Sequence, residues 1–153
     1  MIATNSNLRR GIGGESEGLV FPTKSVLLVC WSNVCRSPVA ESILEKYLRF
    51  NRIDSLVEVD TAGVSLDETP PRPSFSMRWA AFRRGYRIAW HPRIVSRTDL
   101  IKFDLVIAMD QQNLNALQTF HKNPDATIRL LSDFLPSHMP REVPDPMNRP
   151  LNV

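Results

Sequence analysis

The stretch "LLVCWSNVCRSPVAE", residues 27–41, holds both cysteines of the chain, Cys30 and Cys35, and places Arg36 directly after the second. An apolar run enters the segment and an amphipathic run leaves it. Cys30 to Arg36 therefore reads as a loop between a strand and a helix N-terminus. Such a loop gathers backbone N–H groups at the positive end of a helix dipole, which makes an anion site. Arg36 adds a fork of donors matched to two phosphate oxygens. A thiol at the start of the loop feels that whole positive field, which favours the nucleophilic thiolate. No Gly-Lys-Ser/Thr follows, so the loop is not expected to cradle a nucleotide.

The elements that must hold this loop are legible in the pattern. "SVLLVC" (25–30) is apolar without polar alternation, as in a strand covered on both faces. Ala40, Ile43, Leu44, Tyr47 and Leu48 recur on one face of a helix, with Ser37 as its N-cap and Pro38 at its first position. "LVEVDTAG" (56–63) reads as a second strand. Residues 74–84 read as a helix stopped by Gly85, and "FDLVIAMD" (103–110) as a third strand. A helix through Leu114 and Leu117 follows, then a fourth strand in "ATIRLLSDF" (126–134). Strands alternating with helices predict an α/β fold: a four-stranded parallel sheet flanked by helices on both faces. Ligands of such sheets bind beyond the carboxyl ends of the strands, where Cys30 to Arg36 lies.

Composition narrows the class. A chain of 153 residues is one domain by size, and 42% hydrophobic with 23% charged residues is ordinary for a globular protein. The net charge of +3 is spread along the chain, so no nucleic-acid face is expected. No apolar run reaches the ~20 residues of a membrane span, and the N-terminus lacks the apolar middle of a signal peptide. A cytoplasmic location is expected. Four of the six glycines fall between Gly11 and Gly18, so residues 1–23 read as a flexible tail and 24–153 as the folded domain. Two close cysteines in such a chain point to chemistry more than to a structural staple.

"VCWSNVCRSPVAE" resembles the C-x(5)-R-S signature of the low-molecular-weight protein tyrosine phosphatases. The likeness extends through "DTAG", "FDLVIAMDQQNL" and "VPDP", over about residues 25 to 147. The resemblance implies a phosphotyrosine protein phosphatase that hydrolyses aryl phosphates through a phosphocysteine, needs no cofactor or metal, and takes phosphotyrosine-containing proteins as substrates. It implies Cys30 as nucleophile, Arg36 as the phosphate clamp and Asp145 as general acid. Trp31, Ser32, Asn33, Val34, Cys35 and Ser37 would surround the substrate phosphate. Asn33, Ser37, Thr61 and His91 resemble the polar network that braces the loop, and Cys35 the thiol that traps an oxidised nucleophile.

Each residue also has a plainer reading. A lone cysteine at a strand end is commonly a buried small hydrophobe. An Asp-Pro is commonly a turn. His91 fits a half-buried histidine on a backbone partner, and Asp110 a strand-end cap. Scattered histidines and no third cysteine speak against zinc.

Departures from the family pattern concern substrate choice. Ser32 stands where glycine is usual, so its backbone must avoid the glycine-only region. Trp31 is expected to wall the pocket. The loop from Val64 to Thr69 lacks an aromatic residue, and Met147 and Asn148 replace an aromatic after the Asp-Pro. Members usually continue into a last helix, which this chain is expected to lack. That would leave Leu105, Ile107, Ile128 or Leu130 exposed, with self-association or a partner as the consequence. Alternative functions on the same fold are a protein arginine phosphatase, where threonine would be expected at Val34, and a thiol-dependent arsenate reductase, which needs a later cysteine. A catalytically weak phospho-binding regulatory module is the non-enzymatic alternative.

Overall fold

The computed structural model describes residues 24–65, 75–120 and 125–146. The tail assigned to residues 1–23, most of the Val64–Thr69 loop, Met147 and Asn148 lie outside these. Four strands, β1 (Lys24–Cys30), β2 (Val57–Gly63), β3 (Leu105–Ala108) and β4 (Thr127–Leu130), form one sheet in the order β2-β1-β3-β4. All neighbours are parallel. Helix α1 (Arg36–Phe50) connects β1 to β2. Helices α2 (Phe75–Arg83) and α3 (Asp99–Lys102) precede β3, and α4 (Gln111–Phe120) connects β3 to β4. The predicted α/β class and sheet are those observed.

Period-2 alternation divides the sheet into two apolar faces. Leu27, Val29, Val106 and Ala108 pack on one side with Leu100 of α3, Phe103 and Leu117 of α4. Leu28, Cys30 and Ile107 pack on the other with Met109, Ala40 and Leu44 of α1, and Val143. The chain leaves β1 through α1 to reach β2 on one side, and later returns to β3 on the other. The crevice at the end of β1 is therefore the topological switch point of the sheet. The catalytic-type loop begins there.

Three expectations are corrected. Helix α1 starts at Arg36 with Cys35 as its N-cap, so Ser37 lies inside the first turn and its hydroxyl is available to the loop. Ile43 and Tyr47 of α1 are exposed, whereas Leu48 is buried, so the buried stripe is narrower than the periodicity suggests. Ile107 is buried, and Leu105, Ile128 and Leu130 are partly buried against the two clusters, so none of the four is an exposed side chain. Gly85, at φ 75°, ends α2 as predicted.

Candidate active site

The loop is fixed along both edges before any side chain is considered. Val64 and Ser65, just past β2, donate their N–H groups to the carbonyls of Cys30 and Trp31 at 3.1 and 2.9 Å. Gly63 lies directly under the loop. A Cβ there would stand 2.9 Å from the Asn33 nitrogen, the Ser32 carbonyl carbon and the Trp31 oxygen, so only glycine permits this approach. Ser32 is not among the residues with positive φ; the left-handed position falls on Asn33, at φ 53°. Asparagine tolerates that region better than most residues.

Inside the loop the polar side chains form a relay. Cys30 is a buried free thiol whose Sγ lies 3.1 Å from Ser37 Oγ. Asn33 Nδ2 donates to the same Ser37 Oγ at 3.0 Å. Oγ accepts from Asn33 and keeps its own proton, which is the only one the pair can share once Cys30 is a thiolate. Cys35 is a second buried thiol and Val34 is 1% exposed, while Trp31 stands at the rim of the loop, 36% exposed.

Arg36 is the electrostatic centre. Its Nη1 donates to Asp110 Oδ2 and to the Val143 carbonyl at 3.2 Å, and its Nη2 donates to Asp145 Oδ2 at 2.8 Å. The side chain is only 5% exposed, with Asp110 at 14% and Asp145 at 26%, so the pairs are shielded from water. Val143, ahead of Pro144-Asp145, is tied to the end of β3 by its N–H to Met109 O at 2.9 Å. That bond delivers Asp145 to the mouth of the loop. Asp110 is held in turn by the Asn113 N–H on its Oδ1 at 2.7 Å. It is thus both a cap of α4 and a partner of Arg36.

Of the residues singled out in the sequence, Cys30, Asn33, Arg36, Ser37 and Asp145 come together, joined by Asp110. Thr61 is buried on β2 near the loop's underside. His91 is exposed and does not join the network among the described residues; that expectation is corrected. The sequence reading missed Asp60, Arg93 and Asp99. Arg93 donates its backbone N–H to Asn33 Oδ1 at 2.9 Å, and its guanidinium pairs with Asp60 and Asp99 at 2.8 Å each. The aspartate of "DTAG" was the one available signal.

A doubly wound sheet carrying a cysteine, an anion-shaped loop and a buried arginine at its switch point defines a class of thiol-bearing anion-binding α/β proteins. The sequence model of low molecular weight phosphotyrosine protein phosphatases matches residues 25–151. The human low molecular weight phosphotyrosine protein phosphatase is 33% identical over 117 residues, covering 74% of each chain. The crystal structure of YfkJ from Bacillus subtilis superposes with a TM-score of 0.77 at 30% identity, over 84% of this chain and 82% of that one. The Drosophila arginine phosphatase structure superposes with a TM-score of 0.63 at 29% identity, over 71% of each. The chain belongs to the low molecular weight protein tyrosine phosphatase family, a family of hydrolases.

Proposed function

We propose that the protein hydrolyses phosphotyrosine in protein substrates through a phosphocysteine on Cys30. The observation that carries this reading is the convergence of Cys30, Ser37, Arg36 and Asp145 on one loop mouth. Cys30 Sγ attacks phosphorus as the P–O bond to the phenol breaks. Asp145 gives its proton to the leaving oxygen, because a phenol of pKa ≈ 10 departs poorly as a phenolate. Arg36 and the loop N–H groups hold the equatorial oxygens. Asp145, now ionised, then takes a proton from water as that water attacks the phosphocysteine. Cys30 leaves as a thiolate, accepting the Ser37 hydroxyl proton in a hydrogen bond.

The Arg36–Asp145 pair gives the first step its order. A phosphate dianion outcompetes one carboxylate for Nη2, because two of its oxygens match the guanidinium fork. Released from Arg36, Asp145 takes up a proton from solvent and turns toward the leaving oxygen, to which it then gives that proton, while Asp110 keeps Nη1.

The test is hydrolysis of an aryl phosphate by wild type, Cys30→Ser and Asp145→Ala. Phosphoarginine peptide and arsenate serve as parallel substrates. Aryl phosphate turnover that disappears in Cys30→Ser supports the reading. Preference for phosphoarginine would favour the activity named for the Drosophila neighbour. Binding of phosphopeptide without turnover would favour a phospho-binding module.

A further inference from the structure

Arg93 lies outside the loop, on the segment that runs beside the end of β2. Gly63 donates its N–H to Arg93 O at 2.8 Å, Val95 donates to Gly63 O at 2.8 Å, and Gly63 and Ile94 form a parallel bridge. The segment is only a few residues long, so two backbone bonds alone would hold it loosely. Its guanidinium supplies the rest. Nη2 donates to Asp60 Oδ2 on β2 at 2.8 Å, and both Nη atoms fork onto Asp99 of α3, at 2.8 and 3.2 Å. Asp60 Oδ1 is held by the Thr61 N–H at 2.7 Å, and Asp99 Oδ2 by the Ser96 N–H and hydroxyl at 2.7 and 2.9 Å. Burial alone would raise the Asp99 pKa, but its bonds to Arg93 and Ser96 outweigh that and hold it below the ordinary aspartate value. Asp99 therefore stays ionised across the whole neutral range, and the clamp stays charged.

The product of this clamp is one precisely aimed donor. The Arg93 N–H meets Asn33 Oδ1 at 2.9 Å. With Oδ1 held there, Nδ2 faces Ser37 Oγ at 3.0 Å, and Ser37 Oγ faces Cys30 Sγ at 3.1 Å. Asn33 sits at φ 53°, a left-handed state that asparagine tolerates better than most residues and that its hydrogen bonds help to hold. We propose that Arg93 is a positioning residue for catalysis: its two-carboxylate clamp holds the backbone N–H that fixes Asn33, and through Asn33 and Ser37 it aims a proton donor at the sulfur of Cys30. The proposal rests on the phosphatase reading above.

Donation from Ser37 stabilises the departing thiolate, which matters when the phosphocysteine breaks down. Arg93→Met should therefore lower kcat for p-nitrophenyl phosphate by on the order of 10- to 100-fold. KM should fall with it, because formation of the phosphocysteine depends less on that donor. A purely structural role predicts instead fewer folded molecules with unchanged KM.

The deciding experiment is a double-mutant cycle of Arg93→Met with Asn33→Ala, with Arg93→Lys as the milder variant should Arg93→Met fail to fold. Acting through Asn33, the Arg93 substitution should cost less than about 2-fold once Asn33 is gone. Equal losses in both backgrounds would overturn the proposal. An inert wild type would defeat the phosphatase reading instead, and the same cycle read in vanadate affinity would then decide the Arg93 question.

Discussion

Arg36 Nη2 donates to Asp145 Oδ2 at 2.8 Å, so the proposed clamp for the phosphate and the proposed acid for its leaving group are paired with each other. On the mechanism proposed above, an anion entering the loop displaces the carboxylate and frees Asp145 to reach the leaving oxygen. Asp145→Ala should thus slow turnover of poor leaving groups by ~10²–10⁴-fold, and good leaving groups much less. It should also tighten inhibition by inorganic phosphate, because no carboxylate competes for Nη2. Leaving-group dependence of kcat together with the phosphate inhibition constant checks both halves. Equal slowing across leaving groups would move the acid role elsewhere.

Arg36→Lys should lose both phosphate binding and turnover. A lysine is a point charge and cannot hold Asp110, the Val143 carbonyl and a phosphate in the planar fork that Arg36 provides. Vanadate titration of this variant, in which near-wild-type affinity is the contrary result, examines the clamp separately from the nucleophile.

Gly63→Ala should distort the loop from below. The added Cβ would meet backbone atoms of Trp31, Ser32 and Asn33 at 2.9 Å, and backbone cannot swing aside as a side chain can. Overpacking of this kind costs about 1–3 kcal/mol of stability, and a displaced loop about 10²-fold in kcat. Urea unfolding and steady-state kinetics on one preparation measure both effects.

Glu41 gives a pH dependence. Burial, then the neighbouring charges of Glu45 and Asp60, push its carboxyl up from an ordinary 4.5 to about 7. Between these values the folded chain binds more protons than the unfolded one, so this group's contribution to stability falls as pH rises from 4.5 through 7. Glu41→Gln should leave stability unchanged near pH 4.5 and raise it above pH 7. With the side chain half in water, the gain is about 1 kcal/mol. Denaturant midpoints at the two pH values provide the comparison.

Cys30 and Cys35 are both buried thiols on one tight loop, with no disulfide between them. Mild peroxide should inactivate the protein by converting Cys30 to a sulfenic acid, which Cys35 then condenses with to a disulfide, releasing water. Thiol reductant should restore wild type, whereas Cys35→Ser should keep activity but lose it irreversibly to sulfinic acid. Peptide mapping after peroxide gives the answer. Absence of a Cys30–Cys35 cross-link, with equal recovery of both proteins, would make Cys35 a packing residue.

The fold was legible because β1 and β3 are apolar runs, β2 ends on a glycine, and α1 and α4 carry an apolar period. The site was legible where its members are neighbours in sequence: Cys30 to Ser37 span one loop and the first turn of α1, and Asp145 stands out beside its prolines. What escaped depends on long-range contact. Helix α3 spans only Asp99–Lys102, too short for a period to show, and so its Asp99 carried no signal. Arg93 reads as one basic residue among many until the fold brings Asp60 and Asn33 to it. His91 was assigned from the family resemblance, and it is exposed, two positions from the arginine whose N–H meets the loop. Ile43 and Tyr47 fit the helical stripe, yet the sheet reaches only as far as Ala40, Leu44 and their neighbours.

Covalent capture of the phosphoryl group by Cys30 is the central claim, and acid-quench mass spectrometry measures it directly. Wild type mixed with p-nitrophenyl phosphate and quenched during turnover should carry one phosphoryl group on the peptide containing Cys30. Cys30→Ser should carry none. Rapid turnover in Cys30→Ser, or turnover in wild type with label on another residue, would contradict the account.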